Sequence, residues 1–328
     1  MTDPSPPGTQ RRSLALGPKR FVWGERTYIM GVINVSPDSF SGDGLASPDD
    51  ALAQAKRFVA EGADILDVGG QSTRPGRNKT EAGFDEIAPE EEIARVVPTI
   101  ERIRAALPDT AISIDTYKPA VARAAIAAGA HALNDIYGFR HDAELAAIAA
   151  TTGVAVVLMH NQRGRPPADD PIAAIRDGLR ASVAIAERAG IPRERIIGDP
   201  GFGFGWRPEQ NLEILRRLGE LRDLGLPLLV GTSRKSTIGL VLGDAPVDQR
   251  AFGTAATVAL AIAAGADIVR VHDVREMAQV ARVADAITRG WRPPGDAQPL
   301  SVRPNADVRR GGRDTDDGDD CDQQRRAH

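Results

Sequence analysis

The stretch Glu61-Gly62-Ala63-Asp64-Ile65-Leu66-Asp67-Val68-Gly69-Gly70-Gln71 closes one helix, crosses one strand and ends on polar residues. Gly62 stands where a helix takes a left-handed residue to stop, and Ile65–Val68 is a short run of strand-forming residues. The helix-closing phrase returns at Ala128-Gly129-Ala130, Ala189-Gly190-Ile191 and Ala264-Gly265-Ala266. Working outward, the spacing predicts strands at Tyr28–Ile33, Ile65–Val68, Ala111–Ile114, Ala132–Asn134, Val154–Met159, Ile196–Gly198, Leu228–Gly231 and Ile268–Val271. A helix-period segment follows each: Pro48–Glu61, Pro89–Ala106, Pro119–Ala128, Asp142–Thr151, Pro171–Ala189, Pro208–Leu224, Arg250–Ala264 and Val274–Arg289. Proline opens several of them, which suits the first helical turn. Eight strand–helix units predict an α/β fold of the (β/α)8 TIM-barrel type. The rival, an open doubly wound sheet, usually carries a GxGxxG turn after its first strand, and Gly31-Val32-Ile33-Asn34 stands here instead. A hairpin of Phe21–Val22 with Thr27–Tyr28 around Gly24 is expected to plug the barrel bottom.

Residues 20–291 form the single domain of this reading. Residues 1–19 are rich in Pro, Ser and Arg, and residues 292–328 hold 7 Arg and 8 Asp but no Ile, Phe, Tyr, Trp or Met. Neither end has apolar surface to offset the entropy of ordering, so both are expected to be disordered. The 328 residues carry a formal charge of −4, which argues against a nucleic-acid binder working by phosphate neutralisation. Apolar runs such as Val154–Met159 fall far short of the roughly 18 residues a membrane span needs. Residues 1–10 have no apolar core of a signal peptide, and the single Cys321 excludes an internal disulfide framework. The expectation is a soluble cytoplasmic enzyme acting on small molecules, without nucleic-acid or membrane partners. Its 41 basic residues divide into 36 Arg and 5 Lys, so a lysine among polar groups is expected to serve lysine chemistry.

Active sites of such barrels lie at the carboxyl ends of the strands, and here every run ends in a polar group. Asp115, Asn134 and Asp199 supply carboxylates and an amide from separate strands. Such a set suits an amino-heterocycle, because a guanidine-like edge pairs with a carboxylate through two hydrogen bonds. Arg74, Arg234, Lys235, Arg270 and His272 are cationic, and with Gly-rich loops they suit an anion such as diphosphate. Arg270 and His272 are two apart on one strand and share a face. A Schiff-base role competes for Lys235, but the flanking Arg234, Ser233 and Ser236 favour anion or carbonyl binding.

These residues lie in motifs that resemble dihydropteroate synthases. The first is Met30-Gly31-Val32-Ile33-Asn34-Val35-Ser36-Pro37-Asp38-Ser39-Phe40-Ser41, and the second runs from Gly62 to Gly76. Ile114-Asp115-Thr116, Asn134-Asp135-Ile136, Leu158-Met159-His160, Asp199-Pro200-Gly201-Phe202-Gly203-Phe204-Gly205, Gly231-Thr232-Ser233-Arg234-Lys235-Ser236 and Arg270-Val271-His272-Asp273 follow in order. The resemblance implies condensation of 6-hydroxymethyl-7,8-dihydropterin diphosphate with 4-aminobenzoate, giving 7,8-dihydropteroate and pyrophosphate for folate biosynthesis. It implies that Asp115, Asn134, Asp199 and Lys235 hold the pterin, and that Met159 and Phe204 line its slot. Thr73, Arg74, Arg234, Arg270 and His272 would grip diphosphate or shape the aminobenzoate site, and Asn34 would ligate Mg²⁺. Ser236 with Pro37, Ser39 and Phe40 would close over aminobenzoate, where sulfonamides compete. The resemblance also implies a homodimer through the last barrel helices.

The chain departs from the family pattern at several loops. Ser41-Gly42-Asp43-Gly44 shifts an acidic residue by one place, and Gln71 stands where Glu is usual. The loop Arg77–Ala88 is lengthened, Asn161-Gln162-Arg163-Gly164 follows Met159-His160, and Trp206 replaces a common Lys. A methyltetrahydrofolate:corrinoid methyltransferase shares the pterin carboxylates but needs no diphosphate site, and an inactive pterin-binding paralogue is the non-catalytic alternative. Strand-end Asp and Asn also cap helices, though three together with Lys235 favour binding. Lys118 is expected to be solvated, and His131 and His141 to be structural or solvent-facing.

Overall fold

A computed structural model describes residues 12–36, 45, 47–71 and 86–291. The polar tail from Arg292 onward and residues 1–11 lie outside these. Two antiparallel strands, β1 (Ser13–Leu16) and β2 (Lys19–Val22), come first. Eight parallel strands follow: β3 (Tyr28–Asn34), β4 (Ile65–Gly69), β5 (Ala111–Asp115), β6 (Ala132–Asp135), β7 (Ala155–Met159), β8 (Ile196–Asp199), β9 (Leu229–Val230) and β10 (Ile268–Val271). Their order is β8-β7-β6-β5-β4-β3-β10-β9, and the bridge between Gly198 and Leu228 joins β8 to the approach of β9, closing the sheet into a barrel. The (β/α)8 architecture is therefore the one its Gly-punctuated sequence predicts.

Helices α1 (Pro48–Glu61), α2 (Pro89–Ala106), α3 (Pro119–Ala127), α4 (Glu144–Thr152), α5 (Pro171–Arg188), α6 (Pro208–Arg216), α7 (Ser236–Val241), α8 (Ala251–Ala263) and α9 (Val274–Arg289) connect the strands. The ends of α1 follow from local chemistry. Ser47 caps it by accepting from the Asp50 amide, Pro48 takes the first turn, and Gly62 stops it at φ 109°. At Gly31 the barrel wall needs a missing side chain, since a Cβ there would lie 2.6 Å from the Phe58 ring on α1. The apolar residues fall into two main clusters. One fills the layer between strands and helices, with Leu66, Ile114, Leu133 and Val156 wholly buried. The other lies inside the barrel, where Leu14, Leu16 and Phe21 of the hairpin meet Met30, Ile65, Ala111, Ile197 and Ile268.

The plug is real but is built from other residues than expected. It pairs Ser13–Leu16 with Lys19–Val22 and turns at Gly17 (φ 56°), not around Gly24. The folded unit thus reaches into the stretch 1–19 that was expected to lie outside it. The Phe21 ring meets Tyr28 edge-on at 4.6 Å, and the Tyr28 hydroxyl both accepts from the Val22 amide (2.7 Å) and donates to its carbonyl (3.2 Å). Two further differences concern helices. The segment expected as one helix over Pro208–Leu224 is α6 followed by a tighter turn at Leu218–Leu224, and α7 is an additional helix between the expected strand Leu228–Gly231 and the expected helix Arg250–Ala264. Replacing Phe21 by Ala is expected to cost about 3–5 kcal/mol, with the active-site mouth intact. A denaturant midpoint that does not move would show that the plug is dispensable.

Candidate active site

Side chains alternate along a strand, so one set from each barrel strand faces inward. At the carboxyl end these are Asn34, Asp115, Asn134, Met159, Asp199, Arg270 and His272, which line one cleft of about 270 Å³ with Phe204, Ser233, Arg234, Lys235 and Ser236. Arg270 crosses the barrel floor, its Nε donating to Asp67 Oδ2 (2.6 Å) and its Nη2 to Asp115 Oδ2 (2.7 Å). Asn134 Nδ2 donates to the same Asp67 oxygen at 3.0 Å. Asp199 Oδ1 accepts from the Gly201 amide at 2.7 Å. The Lys235 ammonium lies 4.1 Å from the centre of the Phe204 ring, and the Arg163 guanidinium 4.6 Å from it. Gly203 (φ 81°) makes that approach possible, because a Cβ would stand 2.9 Å from Lys235 Cδ.

Burial dominates the electrostatics. It pushes the Asp115 carboxyl up to about 7 against the pull of Arg270, with Asp67 and Glu92 pushing the same way. It raises Asp199 to about 6 despite the Gly201 amide and Lys235. It lowers Lys235 to about 7, with Arg270 adding repulsion and Asp199 opposing it. Burial also works against the Arg270 cation, yet Asp67 and Asp115 outweigh it and raise its pKa.

The expected pterin set, Asp115, Asn134, Asp199, Lys235, Met159 and Phe204, thus shares one cleft. The expected anion set divides. Arg270 groups with the carboxylates. Arg234, at φ 58°, is gripped by Asp273 through Nη2 (2.5 Å) and Nε (3.1 Å), so its fork is already committed. His272 meets the Ser233 hydroxyl at 3.0 Å, and Ser236 opens α7. Thr73, Arg74, Pro37 and Phe40 lie outside the described residues.

Two residues that shape the site, one beneath the cleft and one lining it, are not singled out by the sequence. Asp67 is wholly buried beneath the cleft, and its signal was a charge at an inward position of an otherwise apolar strand. Arg163 lay in a stretch read only as a departure from the family pattern. Lys118 corrects an expectation of solvation: its ammonium donates to Gln71 Oε1 (2.5 Å), the Ile87 carbonyl (2.7 Å) and buried Glu92 (2.7 Å). A carboxylate as enclosed as Glu92 needs such a partner.

The family model for pterin-binding enzymes matches residues 30–272. The dihydropteroate synthase of Synechocystis sp. is 46% identical over 287 residues, covering 85% of this chain and 95% of that protein. The chain belongs to the dihydropteroate synthase family. The Clostridium difficile dihydropteroate synthase, solved in the presence of pteroic acid, is 47% identical with a TM-score of 0.76, covering 82% of this chain and 99% of that one. The Xanthomonas albilineans dihydropteroate synthase with 4-aminobenzoic acid is 39% identical with a TM-score of 0.77, covering 84% and 98%. The chain is accordingly a transferase of folate biosynthesis, joining a pterin-methyl group to 4-aminobenzoate with loss of diphosphate.

The cleft of this synthase-family barrel has a pH signature. Between their ordinary 3.8 and the raised values, Asp115 and Asp199 bind more protons folded than unfolded, so rising pH removes stability up to about pH 7. Lys235 binds fewer protons folded between about 7 and 10.5, so its contribution returns stability as pH rises further. Ligand-free stability is expected to dip near pH 7, and Asp115→Asn to flatten the acid-side slope. Denaturant titrations from pH 4 to 9 check this, and an unchanged slope would contradict the cause assigned.

Proposed function

We propose that this cleft holds the pterin by Asp115, Asn134, Asp199 and Lys235, and that these residues stabilise the charge developed when diphosphate leaves. The observation that carries the reading is their convergence in one cleft at the carboxyl end of the barrel. The pterin's amino and ring N–H groups match the two carboxylates and the amide, and Lys235 meets its carbonyl or a ring nitrogen. As the methylene C–O bond breaks, positive charge spreads into the ring, and buried Asp115 and Asp199 favour it. The aniline nitrogen then forms the new N–C bond and releases its proton to solvent. It is a free nucleophile at neutral pH, so no strong base is required.

Arg270 already serves two carboxylates, and we assign the departing diphosphate to His272, which lines the cleft beside Ser233. Magnesium belongs to the same reading. Among the described residues, no group of three or more His, Cys, Asp or Glu could hold a metal ion. Asn34, the residue assigned to the ion, brings a single amide oxygen to the cleft it lines. That donor set fits an ion that arrives on the substrate diphosphate, since Mg²⁺ keeps waters and substrate oxygens around few protein ligands. When bound it would neutralise leaving-group charge. Ser236 and the segment around Pro37 and Phe40 are assigned to the aminobenzoate side.

A cytoplasmic homodimer completes the proposal. No helix among the described residues is long and apolar enough to cross a membrane. Phe252 and Leu260 on α8 and Val283 and Ile287 on α9 are exposed by 61–88%, and a second copy is the occupant that suits this apolar face. Sedimentation velocity should give a dimer, and Phe252→Asp with Ile287→Asp a monomer; a monomeric parent protein removes the claim.

Pyrophosphate release is expected only with pterin diphosphate, 4-aminobenzoate and Mg²⁺ together, and a sulfonamide should suppress it. Tight pterin binding without turnover would instead identify an inactive paralogue. Lys235→Ala should weaken pterin binding by roughly tenfold or more, the loss of about one charge-assisted hydrogen bond, and calorimetry measures this directly.

A further inference from the structure

Asp67 stands apart from the residues that line the cleft. It is wholly buried in the middle of β4, one layer below Gly69 and Asp115, and acts only through neighbours. Its Oδ2 accepts from both Arg270 Nε and Asn134 Nδ2, while Oδ1 has no partner among the described residues. A carboxylate offers only lone pairs to these two donors, and this fixes the orientation of both. The Asn134 amide is nearly symmetric in shape, and among the described residues only this bond distinguishes its oxygen from its nitrogen. With Nδ2 turned down to Asp67, the carbonyl oxygen is left for the cleft that Asn134 lines. The Arg270 fork is held likewise, Nε on Asp67 and Nη2 on Asp115.

We propose that Asp67 is a positioning residue for substrate recognition: it turns the Asn134 carbonyl toward the cleft and holds Arg270 against Asp115. The cleft then reads an N–H donor of the heterocycle at Asn134, and a ligand offering an acceptor at that place is rejected. Unpaired buried polar groups are the strongest source of such discrimination. This rests on the pterin-binding reading above.

The test measures pterin diphosphate binding by calorimetry in the full chain, without 4-aminobenzoate. Asp67→Asn places an amide that can compete as a donor against Asn134 and Arg270, and the dissociation constant should rise about tenfold or more. KM for 4-aminobenzoate should stay within twofold. The exchange Asp67→Asn with Asn134→Asp restores the pair with donor and acceptor reversed, and presents carboxylate oxygens to the cleft. It keeps the net charge, so it carries the test if Asp67→Asn alone does not fold. Pterin affinity in the exchange variant should return to within fivefold of the parent protein, which a merely structural role for Asp67 does not predict. A folded Asp67→Asn variant with unchanged affinity overturns the proposal, as does an exchange variant of parental thermal midpoint that has lost pterin binding. A parent protein that binds no pterin would instead sink the underlying functional reading.

Discussion

Arg270 lying between Asp67 and Asp115 is the contact on which the rest of the mouth depends. Asp67, Asp115 and Asp199 are set against Arg270 and Lys235 at the carboxyl end of the barrel, with Asp67 sealed from solvent. Each ion gave up water to enter, and attraction between opposite charges offsets that loss only where the geometry is tight. The two bonds to Arg270 are tight. Asp199 and Lys235 are balanced less closely, and burial drives them and Asp115 toward neutrality. A cleft of this charge balance suits a ligand with positive character. The barrel supplies the conditions: closed strands exclude water from the sides, and the hairpin of Leu14, Leu16 and Phe21 closes the base.

The two halves of the site are built differently. The half proposed to hold the pterin rests on strands, where Asp115, Asn134, Met159 and Asp199 come from consecutive parallel neighbours in fixed register. A strand holds its side chain more firmly than a loop does, and that suits recognition of a flat heterocycle through several directed hydrogen bonds. The half proposed for the anion and aminobenzoate uses the turn before α7. There Arg234 adopts a left-handed backbone that costs energy for a non-glycine residue. Asp273, Thr254 and Arg250 hold it in place through its guanidinium, its amide and its carbonyl. Arg234 therefore braces the loop that delivers Lys235 and Ser236.

Much of this was legible in the sequence because the barrel repeats a simple rule. Pro48–Glu61, Pro89–Ala106 and Val274–Arg289 begin and end as read, since the apolar period is joined by an opening proline at Pro48 and Pro89 and a closing glycine at Gly62 and Gly290. Strand β1 was hidden because Ser13–Leu16 offers only two apolar inward residues, Leu14 and Leu16, beside a Pro- and Arg-rich stretch. Helix α7 spans six residues, too few for a period to show. Asp67 and Lys118 were missed for another reason: their roles are set by partners distant in the chain. Asp67 meets a residue 203 positions away, and Lys118 meets Glu92 across two helices. No local pattern encodes such pairs.

Lysine at position 235 shows how the composition meets the site. The chain uses arginine for 36 of its 41 basic residues, yet the most enclosed ammonium in the cleft is a lysine. Its stem runs past Gly203 with no room to widen, for even a methyl group there would press on Cδ at 2.9 Å. A planar guanidinium is broader than a methylene chain, and its five donors are fixed in a fork. An ammonium is compact, rotates its three donors freely, and changes protonation more readily when buried. Set 4.1 Å from the Phe204 ring and opposed by Arg270 and Arg163, it is held near the edge of losing its proton. A carbonyl or ring nitrogen presented by the heterocycle would give that proton a partner, so the lysine favours a ligand with an acceptor at this point. Asn134 asks for a donor, and the two together fix which way round the ring can enter.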